Sequence, residues 1–479
     1  MNYLIFTAKK VIFSFPAIFL TILLVACDPG SFVGEHSETG DKDQVVTNND
    51  LDNDGVPNSQ DAWPYDPAVT TAITNGNDLD GDGVVNVRDL DADGNGLIEI
   101  FSAEELDMIR LDYAGTSFAG DTSGCVYKTS PTAACNGYEL IGDIDLSVYP
   151  SWEPIGHCIA NNECPEMFTG IFDGKGYSIS NLNIAISGNT FGVGLFAAIG
   201  PRSEIRNLHI EGARIKVSGG NDARDIGAMV GFGRNGARLV DTSVSGVIID
   251  APVATAVGGL IGDSYKAYLG NSFAIVEELI AKDGIGGLTG YGDSAVIEKS
   301  SALVQKISGE NYLGGLVGDG RNIQITSSAV NVQSIQGLLF IGGLIGDGRR
   351  AKVEAVDVLV DDISGTNYVG GLIGDALEAS AVKSQVTINT LEGDTAVGGL
   401  LGWASNATII GSSIIMNSLN GADDIGGLVG NGSNMTISSS IGQLGEISGD
   451  YNVGKLVGSG EGNHIDTSRV SVGSIRSSD

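Results

Sequence analysis

Apolar residues return along the C-terminal two thirds of the chain at an interval of 28. Leu260, Leu288, Leu316, Leu344, Leu372, Leu400, Leu428 and Leu456 each centre a Gly-rich hexamer, and Leu195 and Met229 open the series at wider spacing. A period of this length marks one supersecondary unit stacked on copies of itself. Nine residues past each leucine the chain is apolar, as at Ile297, Ile325 and Val353. The same holds sixteen past it, as at Val304, Val332 and Val360, and nineteen past it, as at Ile307, Ile335 and Ile363. Offsets twelve to seventeen alternate apolar with polar, which predicts a strand with one inward face. Offsets seven to nine predict a second strand, and the Gly-Gly-Leu unit a third. The predicted fold is therefore all-β: a right-handed parallel β-solenoid with three short strands per 28-residue turn, its turns about 4.8 Å apart.

Two polar columns belong to the same coil. Twelve past the leucine stand Ser272, Ser300, Ser328, Ser384, Ser412, Ser440 and Ser468, interrupted by Val356. Equivalent serines without a neighbouring histidine read as a hydrogen-bonded ladder, not as nucleophiles. Gly309, Gly337, Gly365, Gly393, Gly421 and Gly449 form another column, read as a turn that needs positive φ.

The N-terminal stretch has a different character. Lys9 and Lys10 precede an apolar run, Val11 to Ala26, broken by Pro16 and closing on Leu24-Val25-Ala26-Cys27. This reads as an export signal. Its last four residues resemble the lipobox of bacterial lipoproteins, which implies that Cys27 carries a lipid anchor; an ordinary secretory signal is the alternative. Four cysteines then remain, Cys125, Cys135, Cys158 and Cys164, and disulfides are the default outside the cytoplasm. Of three connectivities, Cys125 with Cys135 and Cys158 with Cys164 close the short local loops. A metal site would want CxxC spacing, which is absent.

The formal charge of −33 argues against nucleic acid as a partner. Between Asp28 and Ile100 stand 17 acidic and 2 basic residues, so nearly half of the excess lies in about a sixth of the chain. There Asp50, Asp52, Asp54, Asn58 and Asp61 are spaced as a loop around Gly55, and Asp78, Asp80, Asp82, Asn86 and Asp89 repeat it around Gly83. Carboxylates at positions one, three and five with glycine at six converge on one point and suit Ca2+. With the trailing Trp63-Pro64 and Asp66-Pro67, the stretch from Asn49 to Asp89 is similar to the thrombospondin type 3 repeat. A third run through Asp89, Asp91 and Asp93 has Glu99 one residue early for the last ligand. Other readings are a metal-free acidic linker and a dockerin-like pair, although no amphipathic helix follows Asp61.

Ser102-Ala-Glu-Glu105 has capping-box spacing, and Leu106, Ile109 and Tyr113 share one helical face, a lid for the first open edge of a solenoid. The expected domains are a signal peptide (1–26), a tether (27–47), a calcium spacer (48–100), a disulfide-bearing cap (101–167) and the solenoid (168–479). Trp152-Glu-Pro154-Ile155-Gly156, Phe172-Asp173-Gly174 and the Gly-Gly-Leu-Val-Gly units resemble the GLUG-motif family of bacterial exported proteins over about 99–479. That resemblance implies an envelope role and a β-solenoid, without an agreed catalytic set. Some immunoglobulin A proteases share such repeats beside a zinc peptidase domain, but no His-Glu-x-x-His occurs here.

Three past the leucine stand Asp263, Asp319, Asp347 and Asp375, with Tyr291 and Trp403 in other turns. The plain reading is a set of Gly-Asp turns facing solvent. The functional reading is a row for cations or a groove for a glycan, with Tyr291, Tyr312, Tyr368 and Trp403 as platforms. The expected protein is a lipid-anchored bacterial envelope scaffold without enzymatic activity that binds glycan or protein, at the outer membrane or cell surface, or on the periplasmic face of the inner membrane. The alternative is a polysaccharide lyase or hydrolase, for which Arg349, Arg350 and Lys352 beside Asp347 supply the local basic cluster.

Overall fold

A computed structural model describes Leu79, Asp80, Asn86 and residues 89–125, 134–159 and 163–477, all within one compact unit. The chain is an all-β solenoid of about 11 parallel turns, each of about 28 residues. Its turns stack residue for residue, because identical columns can bury their side chains only in that register. Ile307 pairs with Ile335 and Ile335 with Ile363, and all three are buried. Ile297, Ile325 and Val353 stack likewise.

Three sheets line the coil, with thirteen, ten and twenty-two strands. The turn that starts at Leu316 contributes Val317–Arg321 to the ten-stranded sheet and Gln324–Thr326 to the thirteen-stranded one. Ala329–Gln336 and Leu339–Gly342 both enter the largest sheet, so each regular turn holds four strands on three sheets. The Gly-Gly-Leu unit is a bend between strands, not a strand itself. Gly315 sits there because a Cβ would meet the carbonyl of Gly343 in the next turn. Leu316 fills the interior, and its N–H donates to Leu344 O at 3.0 Å.

Left-handed residues make the corners. In this turn they are Asn322 (φ 52°), Ser327 (φ 51°) and Phe340 (φ 59°), and the same offsets are left-handed in the turns above and below. The Gly309 column, expected at positive φ, is not among them. Its glycines are required by packing instead: a Cβ on Gly365 would lie 2.9 Å from both Ile341 Cγ1 and Val369 Cγ2. The serine ladder is present as expected. Ser272 N donates to Ser300 Oγ at 3.1 Å, Ser300 N to Ser328 Oγ at 3.2 Å, and Ser384 N to Ser412 Oγ at 3.2 Å.

Parallel stacking begins at Ile98–Ile100, which pairs with Gly137–Leu140, so the capping region shares a sheet with the coil. Helix Ala103–Met108 closes this end with Leu106 buried, and Ile109 is buried just beyond it. Ser102 Oγ accepts from Glu105 N at 3.1 Å, and Glu105 Oε2 accepts from Phe101 N at 3.0 Å. Disulfides join Cys125 to Cys135 and Cys158 to Cys164. Trp152 is buried under the first turn and donates from Nε1 to Leu195 O at 3.2 Å. At the other end Ile465 and Ile475, which continue the buried columns, are each 40 % exposed because no described turn covers them.

Candidate functional site

The strand before each Gly-Gly-Leu bend and the strand after it run side by side along the coil, and their outward side chains bound a trough that opens as a cavity between Arg224 and Asp319. The second strand turns its core side through residues such as Gly320, whose added Cβ would meet Ile323, Val317 and Ile345. Its neighbour Asp319 therefore faces the other way, toward the trough. Asp263, Tyr291, Asp319, Asp347, Asp375 and Trp403 occupy this place in successive turns and are paired in register. The first strand contributes the left-handed column Asp225, Ala256, Gly284, Tyr312, Phe340, Tyr368, Ala396 and Asp424. The two columns touch: Asn431 Nδ2 donates to Asp424 Oδ2 at 2.7 Å.

The acids are not solvent-facing turns, which corrects the plainer expectation. Asp263, Asp319, Asp347 and Asp375 are only 4 %, 6 %, 0 % and 7 % exposed. Burial is the main reason their carboxyls are held above the usual range. Asp319 is pushed up to about 6, with Asp347 adding to burial and Arg321 opposing it. Asp347 is also pushed to about 6, with Asp375 adding and Arg349 opposing. Asp263 is raised well above the carboxylate range by burial and then by Asp225. Arg321 forks onto Asp319 at 3.0 and 3.3 Å. Arg349 Nε stands 3.1 Å from Asp347 Oδ2 without the alignment of a hydrogen bond, and its Nη2 stands 3.9 Å from Asp375 Oδ2. Neither oxygen of Asp347, nor Oδ1 of Asp263 or Asp375, accepts a hydrogen bond from a side chain.

Aromatic rings form the opposite wall. Tyr312 and Phe340 stack at 5.0 Å, Phe340 and Tyr368 at 5.1 Å, and Trp403 meets Tyr368 edge-on at 6.4 Å. Tyr291 stands apart from this stack under the Arg321 guanidinium at 5.6 Å. Phe340 was not singled out from the sequence; the signal available was its place 28 residues from both Tyr312 and Tyr368. The expected basic cluster divides. Arg349 reaches the acids, Arg350 pairs with Glu378 at 2.9 Å, and Lys352 lies on the thirteen-stranded sheet.

Cys27, Asp50, Asp52, Asp54, Asn58, Asp61, Asp78 and Asp82 lie outside the described residues. Asn86 Oδ1 accepts from Leu79 N at 2.9 Å. The run from Asp89 to Asp93 folds on its own amides. Asp91 accepts from Asn95 N and Gly96 N at 2.9 and 2.8 Å, and Asp93 from Asn95 N at 3.1 Å. Lys175 Nζ lies 3.6 Å from Asp93 and 3.3 Å from Glu139. Among the described residues no three acidic, histidine or cysteine groups are placed to hold one metal ion.

No family model matches this chain, and no solved structure matches it. Halomucin of Haloquadratum walsbyi is 37% identical over 141 residues, which are 28% of this chain and 1% of that protein. A protein described as a Gly-rich membrane protein of Evansella cellulosilytica is 36% identical over 87 residues, 17% of this chain and 9% of that one. The chain thus spans a small part of each of these relatives. Its parallel coil fits a surface or interaction scaffold, and its two disulfides fit a protein that folds outside the reducing cytoplasm.

Proposed function

We propose that this protein is a non-enzymatic envelope scaffold of the GLUG-repeat type whose trough binds a glycan. The observation that carries the reading is the ring stack Tyr312, Phe340 and Tyr368 running beside the carboxyls of Asp319, Asp347 and Asp375. Sugar rings present C–H faces that pack on aromatic walls, and their hydroxyls both donate to and accept from carboxyl groups. A repeat of one binding unit per turn suits a polymer, whose successive units gain from each other's attachment. The lipobox-like Cys27 would tether the coil to a membrane at the outer membrane or cell surface, with the periplasmic face of the inner membrane as the other location. The loops at Asp50 to Asp61 and Asp78 to Asp89 would hold Ca2+ and stiffen the spacer.

Arg349 between Asp347 and Asp375 supports a second reading, a polysaccharide lyase or hydrolase. A glycan array combined with a reducing-end assay separates the two. Saturable binding without product supports the scaffold, product release supports the enzyme, and no binding to any glycan overturns both.

A further inference from the structure

The trough is not uniform. Along the left-handed column the rings of Phe340 and Tyr312 give way to Gly284 and Ala256, and Asp225 follows at the far end. A cavity of about 360 Å3 opens where the rings are missing, floored by Asp263, Tyr291 and Asp319 and bounded by Asp225 and Tyr312. Its size is at the small end for ligand pockets, which suits one monosaccharide unit and not a chain.

The carboxyls at this pocket differ in their partners. Arg224 also lines it, but its Nε is engaged by Asp222 at 2.7 Å. Arg321 nearby is forked onto Asp319. Asp283 accepts from Asn311 Nδ2 at 2.7 Å and has Lys282 at 3.9 Å. Asp263 has neither: it is 4 % exposed, its Oδ1 has no hydrogen-bond partner, its one hydrogen bond comes from the backbone of Tyr265, and the charged groups that act on it are Asp225, Asp293 and Asp319. This unpaired buried carboxyl shares the pocket with Tyr291 and Tyr312, and rings of this kind attract cations to their faces.

We propose that this pocket takes the ammonium-bearing ring of an amino sugar, with the ammonium beside the Asp263 carboxyl and the ring against Tyr291 and Tyr312. This deepens the glycan-binding reading of the trough and rests on it. A neutral sugar would leave the Asp263 carboxyl as it is, whereas an ammonium gains from its ionised form and from Asp225 and Asp319 nearby. Burial raises the Asp263 carboxyl well above the usual carboxylate range and Asp225 to about 7. Amino-sugar binding therefore releases protons.

The test is calorimetric titration of the disulfide-intact chain at pH 7 with glucosamine, N-acetylglucosamine and n-butylamine. Glucosamine should bind at least tenfold more tightly than N-acetylglucosamine, with heats that depend on the buffer's ionisation enthalpy. Asp263→Asn should weaken it at least tenfold. Ala256→Tyr should abolish it with melting temperature preserved, because Ala256 already has φ 58° and Tyr312 carries a tyrosine at φ 61° in the same column. Equal binding of the two sugars, or binding retained by Ala256→Tyr, overturns the proposal. Butylamine binding as tight as glucosamine keeps the ammonium and overturns the sugar. Polymer binding on an array without a glucosamine preference leaves the trough reading standing and removes this one; glucosamine binding with a silent array removes the trough reading.

Discussion

Tyr312 and Phe340 stack 5.0 Å apart and within 4° of parallel while both hold left-handed backbone, at φ 61° and 59°. Bulky residues avoid that region at a cost on the order of 1–3 kcal/mol each. Three consecutive turns nevertheless place a ring there, with Tyr368 at φ 57° completing the set. Surrounding ladders impose the conformation, and the conformation aims the rings into the trough instead of the core.

Replacing Phe340 exposes this tension. Phe340→Ala removes both ring contacts and should destabilise by about 1–3 kcal/mol. Phe340→Gly should be more stable than Phe340→Ala by about 0.5–1 kcal/mol, because glycine accepts positive φ freely. Inside a strand glycine is ordinarily the worse choice, so denaturant melts of the pair give an unambiguous sign.

The pH dependence follows from the acid column. Asp319 and Asp347 are raised to about 6 and Asp225 to about 7, all above their unfolded values near 3.8. For groups shifted upward, the native state favours the protonated form, so their contribution is whole below about pH 4 and is lost as pH rises through 6 to 7. Stability should therefore fall from pH 4 to pH 7, and Asp347→Asn should flatten the fall by on the order of 1–3 kcal/mol. Urea melts across that range check it.

Gly365→Ala should cost about 1–3 kcal/mol, since the added methyl would press on Ile341 and Val369, each 2.9 Å away. Were positive φ the constraint, asparagine would be tolerated better than alanine. Packing predicts the reverse order in thermal melts.

Calcium should bind with two ions per chain in equilibrium dialysis, and Asp54→Asn should remove one of them. Asp93→Asn should leave the count unchanged, because Lys175 already stands at 3.6 Å from that carboxylate.

Much of the fold was legible because each column repeats one physical demand: Ile307, Ile335 and Ile363 can be satisfied together only by stacking. The serine ladder, the helix cap at Ser102 and the local disulfides were legible because each is settled within a few residues or one turn. The site was less so. Gly-Asp reads as an exposed turn in any single repeat, and only the approach of the preceding strand buries Asp319 and Asp347. Asn311-Tyr312-Leu313-Gly314 reads as plain extended chain, and nothing local announces that Tyr312 is left-handed. The Gly309 column had two sufficient explanations, backbone and space, which a sequence does not distinguish.

The trough reading meets its most direct test in fluorescence titration with a glycan that binds on the array. Trp403 is half-buried in the trough, whereas Trp152 is buried beneath the first turn. Glycan should change the emission saturably in the wild type, the change should vanish in Trp403→Phe, and Phe340→Ala should weaken binding at least tenfold. An emission change that survives in Trp403→Phe, or affinity untouched by Phe340→Ala, would contradict a ligand seated between the rings and the acids.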